Sequence, residues 1–158
     1  MTETSLNAHE RVSKTHARIE LRGRLDSLNA RIILFQAHSD NDEYTSDLEE
    51  VREVVRCLQG LEAREKVFEG VMTLWGMDEE EIHERSHNPQ KFYGRGHLVF
   101  HHDMGREASE INLLRTLVRE TELCACRAFD DNDTLKIIHV LNRLSSALYI
   151  LIYKYISL

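Results

Sequence analysis

The apolar positions of this chain fall mainly into helical spacing. Leu21, Leu25, Leu28 and Ile32 stand four, three and four residues apart, the seam of a helix packed against its neighbours. That seam predicts a first long helix starting near Ser13 or Thr15 and running towards His38. A polar, acidic turn from Ser39 to Tyr44 separates it from a second long helix carried by Leu48, Val51, Val55, Leu58 and Leu61. This helix continues or restarts past Gly60 through Val67, Val71 and Leu74. Asp78 can accept from the free N–H groups at the start of a short helix from Glu79 to Arg85. Asn88-Pro89 ends it, because the residue before a proline is pushed out of helical geometry. A third long helix spans about Glu107 to Ala128, Asp130 to Asp133 form a turn, and a last helix extends from Thr134 almost to the end. No stretch alternates apolar and polar residues for long enough to argue for a sheet. The predicted fold is all-α: a bundle of four long helices plus one short helix, with one irregular region at residues 77–105.

Length and composition agree with one domain over residues 1–158, large enough to bury its own core. A single proline and seven glycines in 158 residues leave room for long uninterrupted helices. The net charge of −7 speaks against nucleic acid, which normally needs a basic face. The charge is uneven, however. Between Arg11 and Arg31 five arginines and one lysine face only two acids, Glu20 and Asp26. An acidic protein with a basic first helix can hold a small anion locally. Cys57, Cys124 and Cys126 form no even framework and read as reduced, small residues. The N-terminus carries no apolar signal segment, so the expectation is a cytoplasmic protein. The run from Leu148 to Lys154 is too short to span a bilayer, and no membrane partner is expected.

Candidate chemistry concentrates in the last third. Arg115 and Arg119 are four apart, so both project from one side of a helix. Paired guanidinium forks suit phosphate oxygens. Surface arginines are also ordinary on a bundle helix, and both readings stay open on these residues alone. Phe92-Tyr-Gly-Arg-Gly-His-Leu-Val-Phe100 reads as an aromatic, glycine-punctuated loop of a kind that is often functional. No Gly-Lys-Ser/Thr follows Gly94-Arg-Gly96, and no Gly-x-Ser-x-Gly occurs, which excludes a Walker NTPase and a serine-hydrolase elbow. Glu80-Glu-Ile-His83 and Glu84-Arg-Ser-His87 have the Glu-x-x-His spacing of di-iron bundles, but both fall in one short polar segment rather than on two long helices. His97, His101, His102 and Asp103 form a second cluster, for which loop polarity is the simpler account. No bound metal centre is expected.

Several phrases taken in order resemble a known family. Glu3-Thr-Ser-Leu6, Arg11-Val-Ser-Lys14, Arg18-Ile-Glu20 and Gly23-Arg-Leu-Asp26-Ser-Leu-Asn29-Ala30 resemble the opening of the propanediol-utilisation-type corrinoid adenosyltransferases. His83 to His87, His97-Leu-Val99, Asn112-Leu-Leu-Arg-Thr116, Val118-Arg-Glu-Thr-Glu122 and Leu141-Asn-Arg-Leu-Ser-Ser146 are closer to the ethanolamine-utilisation type. The likeness covers nearly the whole chain. It departs where the family's glycine-rich triphosphate segment would precede Thr4, where the propanediol group has arginine and this chain has Leu123, and at Ser146 in place of an aspartate. Some ethanolamine-type enzymes carry an N-terminal His and Cys metal motif, which this sequence does not offer, so Cys124 and Cys126 inherit no metal role.

The resemblance implies transfer of the 5′-deoxyadenosyl group of ATP to cob(I)alamin, with release of triphosphate and use of Mg²⁺. It assigns Thr4, Ser5, Lys14, Arg119, Glu122 and Asn142 to ATP, in an N-terminal ATP segment (residues 1–12) and on the late helices. It pairs Arg119 with Asp26, often across a subunit boundary, as the catalytic couple. Cobalt(I) is itself the nucleophile, so the protein orients the ribose and stabilises the leaving triphosphate, a task that suits Lys14, Arg115 and Arg119. Phe92, Tyr93 and Phe100 are the candidates for an apolar surface against the corrin, their alternative being to anchor the loop to the bundle. A cob(II)alamin reductant and a homo-oligomer, trimer or dimer, are the implied partners, and microcompartment association stays open. The competing reading is a helical module that binds or delivers cobalamin without catalysis.

Overall fold

In a computed structural model, residues 3–7, 10–13, 16–63, 72–128 and 132–157 are described. Four long helices form the body: α1 (Ala17–His38), α2 (Asp42–Glu62), α5 (Arg106–Ala128) and α6 (Asn132–Tyr155), with two short ones, α3 (Glu79–His87) and α4 (Pro89–Tyr93), between α2 and α5. The seam read from the sequence is the one buried. Leu21, Leu25, Leu28 and Ile32 of α1 and Leu48, Val51, Val55 and Leu58 of α2 are all at or near zero exposure. α5 and α6 pack against each other most extensively, α1 lies against α5 and α2, and α3 lies on α6. Arg24 reaches Glu120 and Arg127 reaches Glu20, so α1 and α5 run antiparallel.

Three features differ from the sequence reading. First, β1 (Glu3–Asn7) and β2 (Glu10–Ser13) form an antiparallel hairpin in the register Thr4 to Val12, irregular between Ser5 and Asn7. Strands of five and four residues are too short to show a clear alternation, and Leu6, 3% exposed, is the inward residue that seats the hairpin. α1 accordingly begins at Ala17, with the His16 ring accepting from the Arg18 N–H at 3.1 Å. Second, Leu74 belongs to no continuation of α2. It pairs with Met77 across a turn in which Trp75 and Gly76 have positive φ (51° and 78°), while Val67 and Val71 lie outside the described residues. Third, Pro89 stops α3 as expected but opens α4, since its missing N–H costs nothing at a first helical position. Gly94, with φ of 71°, ends α4 in a left-handed conformation. Asp130 and Asp131 lie outside the described residues, and Asp133 already belongs to α6.

Candidate active site

The arginine face of α5 is built as its spacing predicted. Arg119 is exposed, whereas Arg115 is partly buried and donates from Nε and Nη2 to the Asn112 side chain at 3.1 and 3.0 Å. Its guanidinium lies 4.9 Å from the centre of the Phe100 ring, bringing the aromatic loop to the arginine helix. Burial, and secondly the charge of Arg119, pull the Arg115 pKa below its ordinary value. The two cations therefore feel each other, and an anion placed between them would relieve that repulsion. Three residues beyond Arg119, Glu122 accepts from the Asn142 amide of α6 at 3.2 Å. Arg115, Arg119, Glu122 and Asn142 are thus brought to the α5–α6 side together with Phe100.

Thr4, Ser5 and Asp26 lie elsewhere. Thr4 is partly exposed and Ser5 exposed in β1. Arg22 of α1 donates to the carbonyls of Ser5 (2.8 Å) and Leu6, and is itself held by Glu62 at 2.9 Å. Asp26 is exposed and lines a cavity of about 470 Å³ between α1 and α2, beside Arg22, Gln59 and Glu62. Glu20 and Arg24 both reach α5 from α1, and Asp26, two positions past Arg24, points about 200° around the helix. Among the described residues no ion pair joins Asp26 to Arg119 within the chain. Lys14 lies outside the described residues.

The aromatic loop is held by two tyrosines of α6. Tyr93 stacks on Tyr153 with centroids 4.7 Å apart, and Phe100 meets Tyr149 edge-on at 6.4 Å. The Tyr153 hydroxyl donates to the Gly96 carbonyl at 2.8 Å, and the Tyr149 oxygen accepts from the Leu98 N–H at 3.0 Å. Burial pushes the Tyr153 pKa up, which keeps that hydroxyl a donor. Phe92 lies apart from both, with the cations of Arg85 and Lys91 each 5.0 Å from its ring centre. Tyr93 and Phe100 therefore anchor the loop, while all three rings stay partly exposed. Val99, 91% exposed in the same loop, is the apolar side chain the sequence reading passed over. Tyr149 and Tyr153 were also missed. Their signal was two hydroxyls one turn apart in an otherwise apolar run.

The His83 and His87 rings sit 4.2 Å apart, but Nη1 of Arg143 lies 2.6 Å from Nδ1 of His83. A guanidinium against that nitrogen opposes a metal cation there. Arg143 follows Asn142 directly, and its Nε is buried with no hydrogen-bond partner among the described residues. No helix among the described residues is long and apolar enough to cross a membrane.

The cobalamin adenosyltransferase family profile matches residues 1–155, and the chain belongs to that family. It is 32% identical over 154 residues to the corrinoid adenosyltransferase EutT of Salmonella typhimurium and to that of Escherichia coli K12. The match covers 95% of this chain and 57% of each relative, so the chain spans little more than half their length. A solved PduO-type ATP:co(I)rrinoid adenosyltransferase variant from Lactobacillus reuteri, complexed with ATP, has the same fold. Its TM-score is 0.66 at 16% identity, over 97% of this chain and 88% of that one.

Proposed function

We propose that this protein transfers the 5′-deoxyadenosyl group of ATP to the cobalt of cob(I)alamin. The cobalt–C5′ bond forms as the C5′–oxygen bond breaks and triphosphate leaves. The observation that carries this reading is the meeting of Arg115 with the Phe100 ring at 4.9 Å, one helical turn from Arg119. It supports a phosphate-binding face set directly against the aromatic loop, as a reaction between a nucleotide and a large flat corrinoid requires.

The geometry supports the following roles. Arg119 and Arg115 take the charge that develops on the triphosphate, the paired cations being worth most where water is excluded. Asn142 and Glu122 hold each other, so the amide is pre-oriented towards the nucleotide. A carboxylate beside an arginine face suits Mg²⁺, which is held largely by substrate phosphates and one or two carboxylates. Glu122 is the residue here that would hold the ion, whose chemistry is to neutralise phosphate charge. Phe92, Phe100 and Val99 offer the apolar surface against the corrin. Thr4, Ser5 and Asp26 lie on the α1–α2 side, and Leu123, four residues past Arg119, leaves an apolar side chain 64% exposed. Both facts support a site completed between copies of the chain, with Asp26 of one copy against Arg119 of another.

The test is an anaerobic assay in which cob(I)alamin is generated chemically and its absorbance followed on adding ATP and Mg²⁺. Stoichiometric adenosylcobalamin and triphosphate are expected. Binding without a cobalt–carbon bond in the visible spectrum would replace transfer by the cobalamin-delivery reading.

A further inference from the structure

We propose that Tyr149 of α6 is the positioning residue of the corrinoid half of the site, a role that rests on the transfer proposed above. Its hydroxyl fixes the loop that presents Phe100 and Val99, and the nucleotide residues do not depend on it. Residues 95–100 lie between α4 and the 3-10 turn at His102–Met104, in neither helix nor strand. Among the described residues none of their N–H or C=O groups pairs with another backbone group. Backbone polar groups need partners, so the loop takes its place from the side chains that supply them. The Tyr153 hydroxyl donates to the Gly96 carbonyl at 2.8 Å, near the start of the loop. The Tyr149 oxygen accepts from the Leu98 N–H at 3.0 Å, two residues before Phe100.

The Tyr149 ring acts at the same place as its hydroxyl. Phe100 meets that ring edge-on with centroids 6.4 Å apart, and the Arg115 guanidinium lies 4.9 Å from the Phe100 centroid. Phe100 is thus set between a cation of α5 and a ring of α6. Arg115 needs no help from the loop, because Asn112 fixes its guanidinium through two bonds. Position 149 stands in the apolar run from Leu148 to Lys154, where a phenylalanine would offer the same ring to its neighbours. Packing accounts for the ring and leaves the hydroxyl to be explained. That hydroxyl lies 3.1 Å from Nδ1 of His97 and 3.3 Å from the Tyr153 oxygen. These contacts all belong to the loop or to the other tyrosine that holds it.

The nucleotide residues stand apart from this hold. Asn142 precedes Tyr149 by seven residues on the same face of α6, two turns or about 10 Å away, and its partner is Glu122. Loss of the Tyr149 hydroxyl therefore releases Leu98 and, through it, Val99 and Phe100, without reaching Asn142, Glu122 or Arg119. The consequence is a KM effect confined to one of the two substrates.

The experiment compares Tyr149→Phe, which keeps the ring, with Tyr155→Phe, which removes an α6 hydroxyl bonded to the Asp47 carboxylate instead of the loop. Transfer is measured anaerobically with each substrate varied in turn. Trypsin cleavage after Arg95 reports the hold on the loop with no substrate present. Tyr149→Phe should speed that cleavage and raise KM for the corrinoid roughly 3–10-fold, the worth of one hydrogen bond, while KM for ATP stays at the wild-type value. Tyr155→Phe should lower Tm and leave both KM values unchanged. KM rising equally for both substrates in Tyr149→Phe would overturn the proposal, since that is the mark of a general structural loss. So would faster cleavage with an unchanged corrinoid KM, or neither effect. A wild type that transfers nothing would overturn the transfer reading and this role with it, a result distinct from a variant that matches an active wild type.

Discussion

Replacing Glu62 by alanine should loosen the N-terminal hairpin and the α1–α2 contact together. The Glu62 side chain is 2% exposed and accepts from Nε and Nη2 of Arg22 at 2.9 and 3.2 Å, with Nη2 of Arg18 a further 3.7 Å away. Arg22 passes the tether on to the Ser5 and Leu6 carbonyls. Removing one partner of a buried pair costs about 3–5 kcal/mol. Arg22 is 35% exposed and Arg18 keeps its bond to the Glu62 carbonyl at 2.8 Å, so water and backbone recover part of the loss. The lower end, about 3 kcal/mol, applies, which for a chain of this size lowers Tm by about 6–12 °C. Glu62→Gln keeps the shape and an acceptor and should lose about half as much. Thermal unfolding followed by circular dichroism reads the stability, and ATP saturation kinetics read the hairpin. KM for ATP should rise before kcat falls, because Thr4 and Ser5 are displaced while the α5 arginines are not. A cooperative Glu62→Ala transition within about 2 °C of wild type would refute the reasoning, showing the network to be screened by water.

Arg119→Ala should lower kcat/KM for ATP by roughly 10–150-fold, the worth of one hydrogen bond to a charged group, while Arg52→Ala on α2, whose ion pair among the described residues is with Glu49, should not. Equal activities in the two folded variants would remove Arg119 from the triphosphate. Arg85 is a poorer control, since its guanidinium sits over the Phe92 ring. Burial, then Arg143 and His87, lower the His83 pKa below 6.5, so the folded state disfavours the imidazolium. The unfolded chain then binds more protons, and this contribution to stability is present above about pH 6.5 and lost as pH falls towards the lowered folded value. NMR titration should put the His83 midpoint below that of an unperturbed histidine, moving back up in Arg143→Ala; a midpoint above 6.5 would contradict the contact. Leu123→Glu should shift sedimentation towards the monomer and reduce transfer, whereas a wild-type monomer at micromolar concentration would exclude a shared site.

The bundle was legible because its signal is local. A stripe such as Leu21, Leu25, Leu28 and Ile32 is written within one helix, and Asp78 announces α3 by accepting from the Glu81 N–H at 2.8 Å. Arg115 and Arg119 share a face for the same reason, since four residues are about one turn. The hairpin was illegible because two short strands find their partner in each other and in Arg22, not in a period. Tyr149 and Tyr153 stood in the sequence only as members of the apolar run from Leu148 to Lys154, because their hydroxyl partners, Leu98 and Gly96, lie 51 and 57 residues away.

The sequence by itself determined the four long helices and α3, their buried stripes and the family phrases that name candidate residues, since all of these depend on spacing along a single element. Tertiary structure alone decided which candidates meet. It brought Phe100 under Arg115 and Asn142 to Glu122, and turned Asp26 to the α1–α2 cavity, away from the arginine face. It also set the Tyr149 hydroxyl against His97. The physical reason is the same in each case. A helical period sets the direction of a side chain around its own axis, but the packing of one helix on another sets what stands opposite it.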